Sequence, residues 1–294
     1  MMNFYFIGKI RNFFLILQGQ KSTFDEIKNY TFCKTFINKK LPLVMNNSYF
    51  TDRRSVRNFS AKEVPDSLLR SILERAEKAP TTGNMQLYSV IVSRDEEMRR
   101  MLAPLHFSQP ASVNAPVLLT VCADLYRFTR WCSASNAEAG FDNFLSFTSA
   151  FADAMIYAQQ VVTIAEMEGL GTVYLGTVIY NAPEIAKLLQ LPRLVVPVAC
   201  IALGWPEGEG EPTERLGLDG IIHIEKYHDY SDEEIFQVFK VKEDYEPNRG
   251  YVAQNGKENL AQVFAEVRYP KAMNEDFSRK FIDYLNEIGL WQKK

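Results

Sequence analysis

Three guanidinium groups and a hydroxyl stand within five residues at Arg53, Arg54, Ser55 and Arg57, and such a concentration of donors suits an anion. A phosphate monoester carries about two negative charges at neutral pH. The planar fork of arginine matches its oxygens with paired hydrogen bonds. The alternative is a solvated basic turn. Against it, the rest of the chain is acidic, and residues downstream supply what a phosphate-bearing ring cofactor would also need. Other chemistries have no comparable cluster. His106, His223 and His228 are widely spaced and read as structural. No nucleophile triad, carboxylate pair, C-x-x-C pair or metal-type cysteine spacing is visible.

The 294 residues are 47% hydrophobic and 13% aromatic, ample for a buried core in one large domain or two small ones. The formal charge of −3 gives no reason to expect nucleic acid or an anionic membrane as partner. Cys122 and Cys200 lie inside apolar runs, where a free thiol is usually a small core residue. With no cysteine framework, a reducing cytoplasm is the expected location.

Residues 1–44 differ from the rest. They hold seven Lys or Arg, two acids and no alanine, against 26 basic and 34 acidic residues beyond them. Their apolar run at 13–17 is too short for a membrane span, and no small-residue cleavage site follows it. Met45 is the expected start of the functional domain, 45–294, with 1–44 a leader or poorly ordered arm.

Pro65-Asp66-Ser67 opens a helix whose Leu68, Leu69, Ile72, Leu73 and Ala76 share a face, closed before Pro80. Thr81-Thr82-Gly83-Asn84 is turn chemistry. Residues 89–92, 117–122 and 195–203 read as strands, and the last two, continuously apolar, belong inside a sheet. The longest helix is expected over 144–168, apolar around most of its girth, with Gly169 as the left-handed residue past its end. The glycines at 169, 171 and 176 resemble a dinucleotide loop only superficially, because they follow a helix and have the wrong spacing. Asn181 is a candidate helix cap with Pro183 in the first turn. Residues 221–227 read as a strand or extended arm. Ser231 and Glu234 form a capping box that opens a helical extension from about 231, with further helices near 258–267 and 275–288. Strands separated by helices, with helices gathered at the C-terminus, indicate an α+β domain whose central sheet is covered by helices.

In this order, Arg53-Arg54-Ser55-Val56-Arg57-Asn58-Phe59, the stretch 79–86, Gly169-Leu170-Gly171 through Gly176, Leu203-Gly204-Trp205-Pro206 with Arg215, and Phe281-Ile282-Asp283-Tyr284-Leu285 resemble the FMN-dependent nitroreductases. The resemblance spans about 49–291 and points to the larger branch of A-type nitroreductases and NAD(P)H flavin reductases. It implies an interlocked homodimer, a central antiparallel sheet flanked by helices, and FMN at the dimer interface. By the same resemblance, Arg53, Arg54, Ser55 and Arg57 hold the FMN phosphate and Arg215 adds a second contact. Thr81 and Gln86 lie near the ring and ribityl chain, and Gln109 contacts the cofactor. Tyr174, Leu175, Gly176 and Thr177 set their backbone against the flavin, where a residue without Cβ permits close approach.

Two departures matter. Arg53 stands where the branch commonly has histidine. Thr213-Glu214-Arg215-Leu216-Gly217 replaces a common Lys-Pro-Arg-Leu-Pro, so one cation is missing and an acid sits beside the remaining one, which lowers the expected FMN affinity. Lys242, Arg249, Lys257 and Arg268 are candidates for the nicotinamide cofactor, with Arg249 and Arg268 carried forward as substrate contacts.

The implied activity is NAD(P)H-dependent reduction of nitroaromatics, quinones or free flavins by ping-pong transfer. The cofactor carries the chemistry and the protein supplies position and electrostatics, so no catalytic side chain is expected. Two alternatives remain open at this point: a flavin- or phospholigand-binding protein without turnover, and a same-fold enzyme with other chemistry such as reductive dehalogenation.

Overall fold

The computed structural model describes residues 48–208, 210 and 212–291. The expectation for residues 1–44 lies outside the described residues. The chain divides into two units, ending at Thr51 and beginning at Asp52. The described part of the first is a turn of helix, within Ser48–Asp52.

Four strands make the sheet of the second unit: β1 (Tyr88–Ser93), β2 (Val117–Asp124), β3 (Gly171–Tyr174) and β4 (Val195–Gly204). They run in the order β1-β2-β4-β3, with every pairing antiparallel. β2 and β4 are central and buried along their whole length. That placement follows from their largely apolar runs, interrupted in β2 only by Thr120 before the closing Asp124, which need cover on both faces.

The helices are α1 (Asp66–Ala76), α2 (Glu96–Leu102), α3 (Pro110–Asn114), α4 (Tyr126–Ala134), α5 (Phe144–Met167), α6 (Ala182–Leu188), α7 (Asp232–Glu243), α8 (Glu246–Gln254) and α9 (Lys271–Glu287). α5 lies across the sheet and against α1, sharing one core with Leu119, Val121, Val196 and Ile201. Leu118, Cys200 and Ala202 face the other way, toward Leu102 of α2, Ala111 of α3 and Ile185 of α6. Both layers are therefore covered. α5 ends as its sequence predicts: Gly169 has φ +83°, its N–H donates to Glu166 O, and Leu170 N–H donates to Ala165 O.

Gly171 and Gly204 face each other across β3 and β4, and neither has room for a side chain. A Cβ on Gly171 would lie 2.6 Å from Val56, and one on Gly204 would lie 2.6 Å from Pro116. The glycine pattern after α5 thus serves packing, and it lets the arginine segment lie along the edge strand, where Val56 N–H donates to Thr172 O at 2.9 Å.

Several expectations are corrected. Residues 221–227 form no strand. Their N–H groups turn back locally, as in Ile222 N to Leu218 O, and Glu225 takes φ +62°. Asn181 sits at the α6 N-cap without capping it. Its Nδ2 donates to Leu105 O at 2.7 Å and its Oδ1 accepts from Lys280 at 3.1 Å, so tertiary partners displace the local bond. The helix expected near 258–267 is a turn of α-helix, Leu260–Gln262, running into a π-helical stretch, Val263–Arg268. α9 starts four residues earlier than expected, directly after Pro270. The Ser231 capping box forms in full.

Candidate active site

The arginine segment divides its side chains between two environments. Arg53 turns inward to the last turn of α5, its Nη2 donating to Glu166 Oε1 at 3.2 Å and its Nε lying 3.2 Å from Oε2. Thr172 donates its hydroxyl to the same carboxylate. Arg54 and Arg57 instead line a cleft of about 560 Å³ together with Asn58, Glu207, Gly208 and Gly210. Arg54 Nη1 donates to Gly210 O at 3.0 Å, which ties the 207–212 loop across the cleft. Arg57 is exposed and makes no ion pair among the described residues. Its guanidinium is free to meet an anion.

Arg215 is exposed and folds onto its own turn, donating to Thr213 O and Glu214 O at 3.3 and 2.9 Å. The neighbouring acid is occupied elsewhere. Glu214 accepts from Lys242 Nζ at 3.2 Å and Asn248 Nδ2 at 3.0 Å. Burial acts to raise its pKa, but hydrogen bonds from Asn248 and Lys242, with the lysine charge, hold it below the usual carboxylate value. The sequence departure at 213–217 is thereby compensated: Lys242 neutralises Glu214. The same pairing commits Lys242, one of the nicotinamide candidates. Lys257 is likewise paired, with Glu266 at 2.6 Å. Arg268 lies 4.7 Å from the ring centre of Tyr251, and Arg249 is exposed on α8.

Thr81 and Gln86 belong to one tightly held loop. Gly83, Asn84 and Gln86 all take φ between +52° and +57°, and Thr81 Oγ1 accepts from Gln86 N at 3.2 Å. Its anchor is Asp153, 1% exposed on α5. Asp153 Oδ1 accepts from Thr82 N and Thr82 Oγ1 at 2.8 and 2.9 Å, and Oδ2 accepts from Leu87 N at 3.4 Å. Arg127 holds the far end, donating to the carbonyls of Gln86 and Tyr88. Sequence reasoning missed both residues. Asp153 had a readable signal, since it is the one acid between Phe144 and Ala165 in the most apolar helix, and a buried carboxylate requires donors.

The segment 174–177 continues from β3. Tyr174 has a buried hydroxyl with no hydrogen-bond partner among the described residues, and burial pushes its pKa up, so the hydroxyl is neutral at pH 7. Leu175 N–H donates to Cys200 O at 2.8 Å. Gly176 is exposed, and a Cβ there would meet nothing within 4 Å. Its backbone therefore faces open space beside a rigid strand. Thr177 is buried, with Oγ1 2.9 Å from His106 Nδ1. That bond joins the segment to the neck carrying Gln109, which occupies the N-cap of α3 and accepts Ser112 Oγ at its carbonyl.

His106 is fully buried and its Nε2 has no partner among the described residues. Burial pushes its pKa down to about 4, so the ring is neutral at pH 7. Unfolded, it takes a proton near pH 6.5. Between those values the unfolded chain binds the extra proton, so this contribution to stability is whole above about pH 6.5 and is lost as pH falls toward 4. The loss runs at up to about 1.4 kcal/mol per pH unit. His106→Asn, which cannot titrate, should narrow its gap in melting temperature to the wild type as pH drops from 7 to 4.5. Parallel curves would refute this.

The structure thus places Arg54 and Arg57 together and Thr81 with Gln86, and it joins 174–177 through Thr177 to His106, three residues before Gln109, while Arg53 and Arg215 point into contacts of their own. A profile described as Nitroreductase family matches residues 50–205. The FMN reductase (NAD(P)H) of Bacillus subtilis strain 168 is 29% identical over 232 residues, covering 75% of this chain and 91% of that protein. The oxygen-insensitive NADPH nitroreductase of Salmonella typhimurium LT2 is 30% identical over 174 residues, 59% of this chain and 71% of that one. A crystal structure from Bacteroides fragilis NCTC 9343 superposes with a TM-score of 0.82 at 41% identity, covering 83% of this chain and 100% of that chain. The profile match over residues 50–205, more than half of the chain, on an antiparallel sheet flanked by helices places this chain in the nitroreductase family.

Proposed function

We propose that this protein is an FMN-dependent oxidoreductase that takes electrons from NAD(P)H and passes them to nitroaromatics, quinones or free flavins. The observation that carries the reading is the arrangement on β3. An arginine segment is bonded to Thr172, and four residues on, the backbone of Gly176 lies open to solvent. The residues fit the group. Arg57 and Arg54 offer charged donors in one cleft for the phosphate, with Ser55 between them in the chain, and Arg215 would have to leave its contacts with Thr213 and Glu214 to add a further donor. Thr81, Gln86, Gln109 and 174–177 would hold the ring and ribityl chain. FMN supplies the electron transfer. The chain's own residues bind, orient and shield it: Asp153 and Arg127 fix the 81–87 loop, and buried His106 keeps 174–177 in register without supplying a proton at neutral pH.

The kinetic pattern we infer is ping-pong, with donor and acceptor using one face in turn. Arg249, exposed on α8, is the best-placed cation for a 2′-phosphate, which favours NADPH through KM. Arg268 is a weaker second. We infer a homodimer, as is typical of the family, and Leu218, Ile221, Ile224, Tyr227 and Phe236, each more than half exposed, are apolar side chains that a second copy would cover. Free Cys122, Cys132 and Cys200 suit a reducing cytoplasm.

The purified protein should be yellow, and its visible band should bleach with NADPH and return on adding a quinone. Colourless protein that takes up no added FMN would remove the proposal. Yellow protein that neither NADPH nor NADH bleaches would be a binder without turnover.

A further inference from the structure

We propose that Phe107, Tyr180 and Phe277 form a stacking wall for planar aromatic acceptors beside Gly176, with Phe107 setting the preference for them. The identity of the neighbouring face as the electron-transfer face rests on the reading above. The wall itself rests on geometry. Tyr180 and Phe277 stack with centroids 4.4 Å apart and planes at 14°, and Phe107 joins them at 6.3 and 6.1 Å. Three separate segments contribute, and each is tied to the site. Tyr180 follows Thr177 by three residues, and Phe107 precedes Gln109 by two. Phe277 lies on α9, which Lys280 fastens to Glu184 at 2.8 Å and to Asn181 at 3.1 Å.

Phe107 is the unusual member. It is 50% exposed, and it takes φ +56° and ψ +31°, followed by Ser108 at φ +47°. Two consecutive side chains in the left-handed region are disfavoured for L residues, and glycine would occupy either place without cost. The neck beneath does not yield, because His106 is bonded to Thr177 at 2.9 Å and Leu105 O accepts from Asn181 at 2.7 Å. A strained, half-exposed aromatic on a rigid neck is poor core material. What it does offer is a π face, and offset stacking of a planar ring is the contact such a face makes best. A quinone, a nitroarene and a nicotinamide all present such a ring, and among them the wall is assigned to the acceptor.

Phe107→Gly separates this role from a structural one, since it relieves the left-handed strain while removing the ring. Phe107→Leu keeps the bulk without the π face. Calorimetric titration of the oxidised holoprotein with 4-nitrobenzoate and naphthoquinone sulfonate needs no turnover. Both variants should bind these probes about three- to tenfold more weakly, with the melting temperature of Phe107→Gly unchanged or raised. In steady-state assays the KM for the quinone should rise by a similar factor while those for ferricyanide and NADPH stay put. Unchanged probe binding overturns the wall. A rise in the NADPH KM with quinone unaffected overturns the assignment to the acceptor. A drop in melting temperature with probe binding intact reduces Phe107 to a fastener of α9. If the wild type binds the probes but never turns over, the enzyme reading fails, and the wall stands or falls on the binding difference alone.

Discussion

Asp153→Ala should lower the melting temperature by roughly 10 °C and empty the flavin site together with it. Its carboxylate, 1% exposed, accepts from two backbone N–H groups and one hydroxyl. Removing it leaves the N–H of buried Leu87 without its acceptor, while the N–H and hydroxyl of Thr82, an exposed residue, turn to water. At about 1 to 3 kcal/mol for the donor that stays dry and less for the other two, a net loss of about 2 to 4 kcal/mol is the expected size. The consequence is also functional. Gly83, Asn84 and Gln86 hold left-handed conformations that only an anchored loop sustains, and Thr81 and Gln86 lose their fixed positions once the anchor goes. Asp153→Asn keeps one acceptor oxygen and should fall between. Thermal melts with flavin absorbance after gel filtration decide the matter. An alanine variant that melts with the wild type and keeps its colour would show that the loop holds itself.

Arg57→Ala should weaken FMN about ten- to a hundredfold, the loss of a charge-assisted contact, and leave riboflavin nearly untouched because riboflavin lacks the phosphate. Geometry singles out Arg57 among the arginines. It lines the cleft without an ion pair among the described residues, whereas Arg54 also secures Gly210 and Arg53 is bound to Glu166. Arg53→Ala is therefore the contrasting variant: it removes the guanidinium paired with Glu166 and should reduce stability and the binding of both flavins together. Fluorescence titration of the apoprotein with each ligand separates these outcomes. An equal loss of FMN and riboflavin affinity in Arg57→Ala would take the phosphate out of that cleft.

What was legible in the residues alone is what local physics determines. β2 and β4 announce themselves because apolar runs of strand length, broken only by Thr120 in the first and Pro197 in the second, have few places to go except the interior of a sheet. α1, α5 and α7 follow from periodicity, a proline boundary, a terminal glycine and a capping box, each a contact among residues a few positions apart. The anion site at 53–57 is legible for the same reason, because its donors are adjacent in the chain. The tertiary structure decided everything that pairs distant residues. β3 has only four residues and becomes a strand through β4 and through Val56. Residues 221–227 have strand-like composition but no neighbouring strand among the described residues to take their backbone bonds, so they stay irregular. Asn181 gave up its cap for Leu105 and Lys280, and Arg53 met Glu166 across 113 positions. Glu214, which the chain sets beside Arg215, belongs in space to Lys242 and Asn248. Asp153, Arg127 and His106 support the site from outside every motif, because a side chain's partners in a packed interior are set by the meeting of surfaces and carry no spacing that a sequence displays.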